Sequence, residues 1–249
     1  EGRVILHFGA VDQSCTVYIN GLRAYRHNGG YLPFEFDATG FLSKDVNELS
    51  LSVRDVSDTS YHSRGKQKLK RGGIWYTPQS GIWQTVWAEC IPKDCVRSLH
   101  ITSDFDHACV NVRADVVGES KAYALFDGQQ YPLPASIPVP GFEPWSPENP
   151  KLYDFSVICG ADRVESYFAM RKFSVEADEN GVKRLFLNGK PYFHNGLLDQ
   201  GYWSDGMYTA PSDEALIFDI QTAKDMGFNM LRKHIKIEPL RWYYHCDRL

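Results

Sequence analysis

Residues 211–235, PSDEALIFDIQTAKDMGFNMLRKHI, carry the pattern that decides the fold of the carboxyl-terminal part of the chain. The first half predicts an amphipathic helix, in which Ser212 is the N-cap and Glu214 lies near the positive end of the helix dipole. Gly227 is expected to end the helix. The apolar positions recur at helical spacing and form one stripe: Leu216, Ile217, Ile220 and Ala223.

The flanking segments predict a parallel sheet. A short apolar run ends near Leu198, residues 228–235 are typical of a buried strand, and residues 239–249 predict a second helix. Its expected apolar face consists of Leu240, Tyr243 and Cys246. Strands that alternate with helices through short links form parallel sheets covered by helices. The last helix has no capping signal after it, so we expect the sequence to continue beyond Leu249.

Two all-β stretches precede this part. Within the first, apolar residues alternate with polar ones, and Asn20-Gly21 predicts a tight hairpin turn. Within the second, the segment 131–150 contains seven prolines, which exclude a helix and a central strand. The sequence therefore predicts three domains: residues 1–92, residues 93–176 and residues 177–249.

Composition narrows the functional classes. The formal charge of −4 argues against nucleic acid, whose binding needs a basic face, and there is no apolar run long enough to span a membrane. Aromatic residues make up 14% of the chain, which suits sugar stacking but is also common in β-rich proteins. The six cysteines form no CxxC pair, so we expect buried thiols, no metal site and no cofactor.

Nine short motifs occur in a fixed order along the chain. They lie at residues 18–21, 27–31, 34–37, 80–87, 147–153, 170–173, 187–191, 227–232 and 246–249. Together they resemble glycoside hydrolase family 2, the family of β-galactosidases, β-glucuronidases and β-mannosidases. The resemblance implies a sugar-binding jelly-roll sandwich, an immunoglobulin-like sandwich and then the first two βα units of an incomplete TIM barrel.

The resemblance also implies a retaining mechanism with two glutamates. In the family these lie at the ends of the fourth and seventh barrel strands, and we expect both beyond this chain. Glu214 and Glu238 lie at helix starts and are interpreted as structural. We therefore expect no catalytic residue here and no turnover by this polypeptide alone, although the whole protein is expected to be a β-galactosidase-like enzyme.

Substrate contacts are expected at the carboxyl ends of the barrel strands. Asp199, Gln200 and Trp203 follow the first strand, and Trp203 is equally compatible with packing under a loop. Arg232 and His234 end the second strand, where alternation directs them to one face and Lys233 to the other. Either side chain can orient a carboxylate or donate to a sugar hydroxyl. Because the family usually has Arg-x-x-His and this chain has Arg-x-His, a structural role for His234 stays open.

Loops of the first domain also reach the active site in this family. Where several relatives carry an acidic residue, six positions before Gly81, this chain has Trp75. That departure argues against strict galactosidase or glucuronidase specificity and favours a more aromatic subsite. The basic run 66–71 has two interpretations: contact with an acidic sugar, or a solvated loop.

A second hypothesis is a non-catalytic carbohydrate-binding or scaffold protein built from sandwiches. Residues 185–249 discriminate against it, because a binding module does not need two βα units. The expected partner is a carbohydrate substrate, with homo-oligomers formed through the exposed edge of the partial sheet. The sequence specifies neither the sugar nor the compartment; a periplasmic or secreted bacterial enzyme and a cytoplasmic one both stay open.

Overall fold

The computed structural model describes residues 2–249 as a mainly β protein with two α-helices near the carboxyl end. The first group of strands is β1 (Arg3–Phe8), β2 (Val11–Asp12), β3 (Ser14–Ile19), β4 (Leu22–Asn28), β5 (Phe34–Asp37), β6 (Leu49–Arg54), β7 (Gly81–Ile82) and β8 (Val86–Ile91). The second group is β9 (Cys95–Asp104), β10 (Cys109–Val117), β11 (Ala122–Phe126), β12 (Gln129–Pro132), β13 (Ala135–Pro138), β14 (Tyr153–Cys159) and β15 (Asp162–Phe168). The remaining elements are β16 (Phe173–Ala177), β17 (Lys183–Leu187), β18 (Lys190–Pro191), β19 (Gly196–Asp199), α1 (Asp213–Asp225), β20 (Met230–Lys233) and α2 (Leu240–Arg248).

The first sandwich consists of the sheets β5-β1-β8 and β4-β3-β6, together with the short pair β2-β7. Strand β3 alternates between half-buried and buried side chains, which is the pattern of a strand with one face on a core. Both sheets contribute to that core. Its buried residues are Phe8, Val11, Cys15, Val17 and Phe34.

The hairpin turn predicted at Asn20-Gly21 is confirmed, and a second turn of the same type occurs at Asn188-Gly189. Asn20 and Gly21 join β3 to β4, and Asn188 and Gly189 join β17 to β18. All four residues have a positive φ, which is the requirement of a type I′ turn and the reason that Asn-Gly is preferred there.

The second sandwich packs the sheet β13-β10-β9 on the sheet β12-β11-β14-β15. Its core is rich in β-branched and aromatic side chains: Val110, Val112, Ile137, Phe155, Val157 and Phe168. The proline-rich segment contributes β12 and β13, and both lie at sheet edges. The expectation that it holds no central strand and no helix is therefore confirmed.

The carboxyl-terminal part begins with the antiparallel sheet β16-β17-β18 and continues with β19 and β20, which pair in parallel around α1. Helix α1 starts as predicted, because the Ser212 side chain accepts a hydrogen bond from the Ala215 amide. Gly227 follows the helix with φ +87°. Leu216, Ile220 and Ala223 are its buried positions, so the predicted stripe is confirmed apart from half-buried Ile217.

Three expectations need correction. The second strand of the parallel pair covers only Met230–Lys233, and its side chains are half-buried or exposed rather than buried. Helix α2 presents Trp242 and His245 to the interior, whereas Leu240 is 83% exposed. The helix packs through Trp242, which is buried in one cluster with Leu216 and Ile220 of α1. Of the six thiols, Cys90 is exposed, and only Cys15, Cys95 and Cys159 are buried.

Over residues 2–249, neither helix has the length and apolar character of a membrane-crossing segment. The same range contains no group of three or more His, Cys, Asp or Glu side chains arranged to hold a metal ion.

Candidate functional site

The carboxyl ends of β19 and β20 bring Arg232 and His234 together on one face and place Asp199 on the other. The two strands pair so that Asp199 lies opposite Lys233 and Leu198 lies opposite Arg232. Successive side chains of a strand point to opposite faces, so each strand end offers one residue to the helices and the next to the other face. In open parallel sheets, ligands bind outside the carboxyl ends of the strands.

The face toward the helices holds a network of four charged side chains. Nζ of Lys233 lies 2.7 Å from Oδ2 of Asp199 and 2.8 Å from Oε1 of Glu238. Nζ of Lys236 lies 3.0 Å from the same Glu238 oxygen. Lys233 also lies over the ring of Trp242 in α2, with Nζ 4.4 Å from the ring centroid. Two positive and two negative charges thus balance each other at the strand ends.

Lys236 and Glu238 are the most deeply buried members, with side chains 1% and 2% exposed. Nζ of Lys236 donates to the carbonyl oxygens of Gly201 at 2.5 Å and Tyr208 at 2.7 Å, so all of its protons have acceptors. Burial lowers the pKa of Lys236, and the neighbouring Glu238 carboxylate opposes that change. The fully satisfied geometry indicates a structural role for Glu238, as the sequence suggested.

The opposite face carries Arg232 and His234. Arg232 Nη1 lies 3.3 Å from Nδ1 of His234, so the predicted alternation holds and both side chains share one face. Arg232 is exposed and His234 is half-buried. Partial removal from water, with the nearby charges of Lys66 and Arg232, lowers the pKa of His234. At neutral pH the ring is therefore an uncharged donor and acceptor.

Asp199, Gln200 and Trp203 do not share that face. Asp199 pairs with Lys233 on the helix side. Trp203 packs beside Leu216, Ile220 and Trp242, and its Nε1 is buried without a hydrogen-bond partner, as is Oε1 of Gln200. Of the two interpretations of Trp203, packing is the one that its surroundings favour.

Trp75 lies apart from these residues in a turn of the first sandwich. Its amide and carbonyl groups bond to those of Gly72, and Nζ of Lys68 lies 4.5 Å from its ring centroid. The next residue, Tyr76, stacks on Tyr202 with ring centroids 4.1 Å apart. Trp75 thus lies beside the junction with the carboxyl-terminal part, and its neighbour Tyr76 makes the contact across that junction.

An aromatic cluster joins the first sandwich to the carboxyl-terminal part. The hydroxyl oxygens of Tyr31 and Tyr208 are 3.1 Å apart, and both rings pack against Trp83. Tyr202 donates its hydroxyl proton to the Thr77 carbonyl at 2.6 Å. Lys236 lies over this cluster, with Nζ 5.2 Å from the Tyr208 ring centroid. The strand ends are therefore held against the first sandwich by aromatic packing and by the Lys236 ammonium.

A cavity of about 660 Å³ opens beside this cluster. Three segments line it: residues 28–32 of the first sandwich, residues 62, 63 and 65 of the same sandwich, and residues 235–237 after β20. The volume lies within the usual range of small-molecule sites, on the order of 300–1,000 Å³.

A second junction holds α2 against the second sandwich. Oδ1 of Asp247 lies 2.7 Å from Nη1 of Arg171, and Oδ2 accepts from the Tyr167 hydroxyl at 3.0 Å. Trp145 donates its Nε1 proton to the Asp247 carbonyl at 2.6 Å, and the Arg171 guanidinium covers the Trp145 ring. The helix that follows the site is thus fixed at its far end.

Two features of the site escaped the sequence analysis. The network of Lys233, Lys236 and Glu238 does leave a signal in the sequence, because the three charged residues fall within six consecutive positions of an otherwise apolar stretch. The approach of Gly65 to the Ile235 carbonyl has none, because residues so distant in sequence meet only through the packing of the first sandwich on the strand ends.

Known proteins match this chain along nearly its whole length. Residues 1–88 match the family model described as glycosyl hydrolases family 2, sugar binding domain. A β-galactosidase of Streptococcus thermophilus is 25% identical over 268 residues, covering 99% of this chain and 25% of that protein. A putative β-glucuronidase of Formosa agariphila is 27% identical, covering 98% of this chain and 31% of that protein. The chain thus spans about a quarter to a third of these relatives' length.

Solved structures show the same fold. A Faecalibacterium prausnitzii β-glucuronidase superimposes with a TM-score of 0.81 at 21% identity, over 99% of this chain and 46% of that chain. A Ruminococcus gnavus β-glucuronidase in complex with D-glucuronic acid superimposes with a TM-score of 0.83 at 19% identity, over 99% of this chain and 46% of that chain. At such identities the likeness concerns the arrangement of the backbone.

Proposed function

Because the chain belongs to glycoside hydrolase family 2, we propose that it forms the amino-terminal scaffold of a retaining, β-galactosidase-like glycosidase that hydrolyses terminal β-linked sugars. The observation that carries the proposal is the continuous match of 97–99% of the chain to β-galactosidases, through both sandwiches and into the parallel strand pair. The curated relatives are three to four times longer, so the activity is proposed for the whole protein.

The proposed domains are a jelly-roll sandwich over 1–92, an immunoglobulin-like sandwich over 93–176 and the start of a TIM barrel over 177–249. The parallel pair β19 and β20 with its helices supports the barrel assignment, because a barrel repeats this unit. We expect six further strands to pair beyond β19 and β20. Self-association through the open edges of these strands stays a prediction for the isolated chain.

The proposed chemistry is a double displacement at the anomeric carbon. One carboxylic acid protonates the leaving oxygen while a second carboxylate, roughly 5 Å away, attacks the sugar and forms a covalent intermediate that water then hydrolyses. We expect both groups outside these 249 residues. The residues described here would contribute donors: Arg232 and the Nε2 proton of His234 face the sugar side, and the network around Lys233 sets their position.

A non-catalytic carbohydrate-binding or scaffold protein is less well supported. A binding module has no use for a parallel βαβ unit whose strand ends are tied by four buried or half-buried charges. The relatives that match through this region are β-galactosidases and a putative β-glucuronidase.

The test compares the 249-residue chain with a longer form of the protein that includes a complete barrel. Both are assayed on aryl β-galactoside, β-glucuronide and β-mannoside, and the configuration of the first product is followed by NMR. We expect hydrolysis with retention by the longer form and no turnover by the chain alone. Turnover by the chain, or inversion by the longer form, would contradict the proposal.

A further inference from the structure

We propose that the protonation state of Asp12, in the first sandwich, controls the packing of Tyr208 and Lys236 at the strand ends. Two glutamines, Gln67 and Gln79, connect Asp12 to Tyr208, and these four residues form a hydrogen-bond relay. The role of the relay lies outside the glycosidase activity and does not depend on it.

The relay is a continuous series of hydrogen bonds. Nε2 of Gln67 donates to Oδ2 of Asp12, and Oε1 of Gln67 accepts from the Gln79 amide at 2.8 Å. Oε1 of Gln79 accepts in turn from the Tyr208 amide at 3.2 Å. The Tyr208 carbonyl accepts from Nζ of Lys236 at 2.7 Å. The bonds therefore lead from the end of β2 to the ammonium that holds the strand ends against the first sandwich.

The side-chain amide of Gln67 can take only one orientation. Gln67 is 2% exposed, and its Nε2 also donates to the Arg64 carbonyl at 3.1 Å. A half-turn of the amide would place acceptor against acceptor at Arg64 and donor against donor at the Gln79 amide. Gln67 therefore responds to a change at Asp12 by moving, and not by turning over.

The Asp12 carboxyl group is poorly stabilised when it is charged. The residue is 4% exposed, its Oδ1 is buried without a hydrogen-bond partner, and the Gln67 bond to Oδ2 is long, at 3.4 Å. Burial, with a smaller contribution from Asp55, raises the pKa of Asp12 to about 6. Asp12 thus changes charge between about pH 5 and pH 7.

The groups that face Asp12 do not supply a compensating charge. They are the carboxylate of Asp55, which follows β6, and the hydroxyl groups of Tyr31 and Tyr208. The two cations nearest to the relay are engaged elsewhere: Arg64 donates from Nη1 to a backbone carbonyl, and Lys236 donates to two. The charge of Asp12 is therefore answered by the Gln67 amide.

Ionisation of Asp12 should tighten the first bond of the relay. A hydrogen bond to a carboxylate is shorter and roughly twice as strong as one to a neutral oxygen. The 3.4 Å separation leaves room for Gln67 to approach Asp12, and its Oε1 then moves relative to the Gln79 amide. Gln79 passes the movement to the Tyr208 backbone, whose carbonyl holds Lys236.

The experiment follows the backbone amides of Gln79 and Tyr208 by NMR, in the 249-residue chain, from pH 4.5 to 7.5. We expect both amides to shift with one common midpoint near pH 6. In Asp12→Asn, neither amide should show that midpoint. In Asp55→Asn, the midpoint should move to lower pH, because the Asp55 carboxylate contributes to the raised pKa of Asp12.

Gln79→Met interrupts the relay at its last step. It keeps Asp12, Gln67 and the backbone amide of position 79, and it removes only the acceptor of the Tyr208 amide. The amide of position 79 should titrate as before, whereas the Tyr208 amide should lose the midpoint near pH 6. Gln130→Met, at an exposed position of β12, is the matched control and should leave both titrations unchanged.

Two results would overturn the inference: a Tyr208 amide that does not titrate near pH 6 in the natural chain, or one that still does so in Asp12→Asn or Gln79→Met. Signal dispersion in each spectrum checks the fold. If Asp12→Asn loses that dispersion, Asp55→Asn decides, and an unchanged midpoint there contradicts the inference. The measurement needs no substrate, so its failure leaves the proposed glycosidase function untouched.

Discussion

Nζ of Lys233 lies 2.7 Å from Oδ2 of Asp199, and this ion pair joins the carboxyl ends of the two parallel strands. The same ammonium reaches Glu238, which also accepts from Lys236. The strand ends are therefore tied by charges that water barely reaches. Arg232 and His234 lie on the opposite face of the same strand end, so their direction depends on this network.

Glu238→Gln should destabilise the chain. It removes the charge that two buried lysines share and leaves Lys236 without a carboxylate, and breaking a buried ion pair costs about 3–5 kcal/mol. Urea unfolding monitored by tryptophan fluorescence measures the change. Asp106→Asn is the control, because its ion pair with Lys172 lies at the surface, where such a pair contributes little to stability. Equal losses in the two variants would contradict the assigned role.

Asp12 should make stability depend on pH. Burial raises the pKa of its carboxyl from 3.8 to about 6, with a smaller contribution from Asp55. A raised pKa means that the folded state favours the protonated form, so this contribution is favourable below pH 4 and is lost as pH rises through 6. The shift corresponds to at most about 3 kcal/mol.

The measurement is the difference in unfolding free energy between the natural chain and Asp12→Asn across pH 4 to 7. The Asn variant should become the more stable of the two as pH rises, since the other titrating groups cancel in the difference. A flat profile for Asp12→Asn would contradict the raised pKa of the Asp12 carboxyl.

Tyr208 should contribute mainly through its ring. Tyr208→Phe loses the hydrogen bond to Tyr31 and should cost about 1 kcal/mol, whereas Tyr208→Ala empties the space beside Trp83 and should cost about 3–5 kcal/mol. Hydrogen exchange of residues 196–239 should rise in the Ala variant. Tyr61→Ala, at a fully exposed position, is the control and should leave both quantities unchanged.

Asp247→Ala should loosen α2. It leaves the Arg171 guanidinium and the Tyr167 hydroxyl without their acceptor, at a cost of about 2–3 kcal/mol. The Trp145 bond is to a carbonyl and should survive. Faster amide exchange confined to residues 240–249 is the expected signature. Asp225→Ala, at the exposed last residue of α1, should not reproduce it.

Much of the fold could be predicted because its signals are local. Turn chemistry placed the hairpin at Asn20-Gly21, and the capping residue Ser212 placed the start of α1. Proline content excluded a central strand between residues 131 and 150. Each signal acts through the backbone of a few neighbouring residues, so no knowledge of the rest of the chain was needed.

The candidate site was predictable only in part. Alternation along β20 correctly placed Arg232 and His234 on one face and Lys233 on the other. It failed directly afterwards, where Lys236 and Glu238 are buried while Ile235 and Ile237 are exposed. Hydrophobicity alone would bury the two isoleucines and expose the two charged residues. The ion pair between Lys236 and Glu238, together with the carbonyl acceptors of Lys236, outweighs that preference.

The amino-acid sequence by itself determined the mainly β composition, the turns, the helix start and the family to which the chain is similar. Tertiary structure alone decided which charges are paired, that Trp203 packs against α1 and α2, and that Gly65 lies against the Ile235 carbonyl from the other end of the chain. The physical reason is that local conformation follows from neighbouring residues, whereas the burial and pairing of a charge depend on what the rest of the chain packs against it.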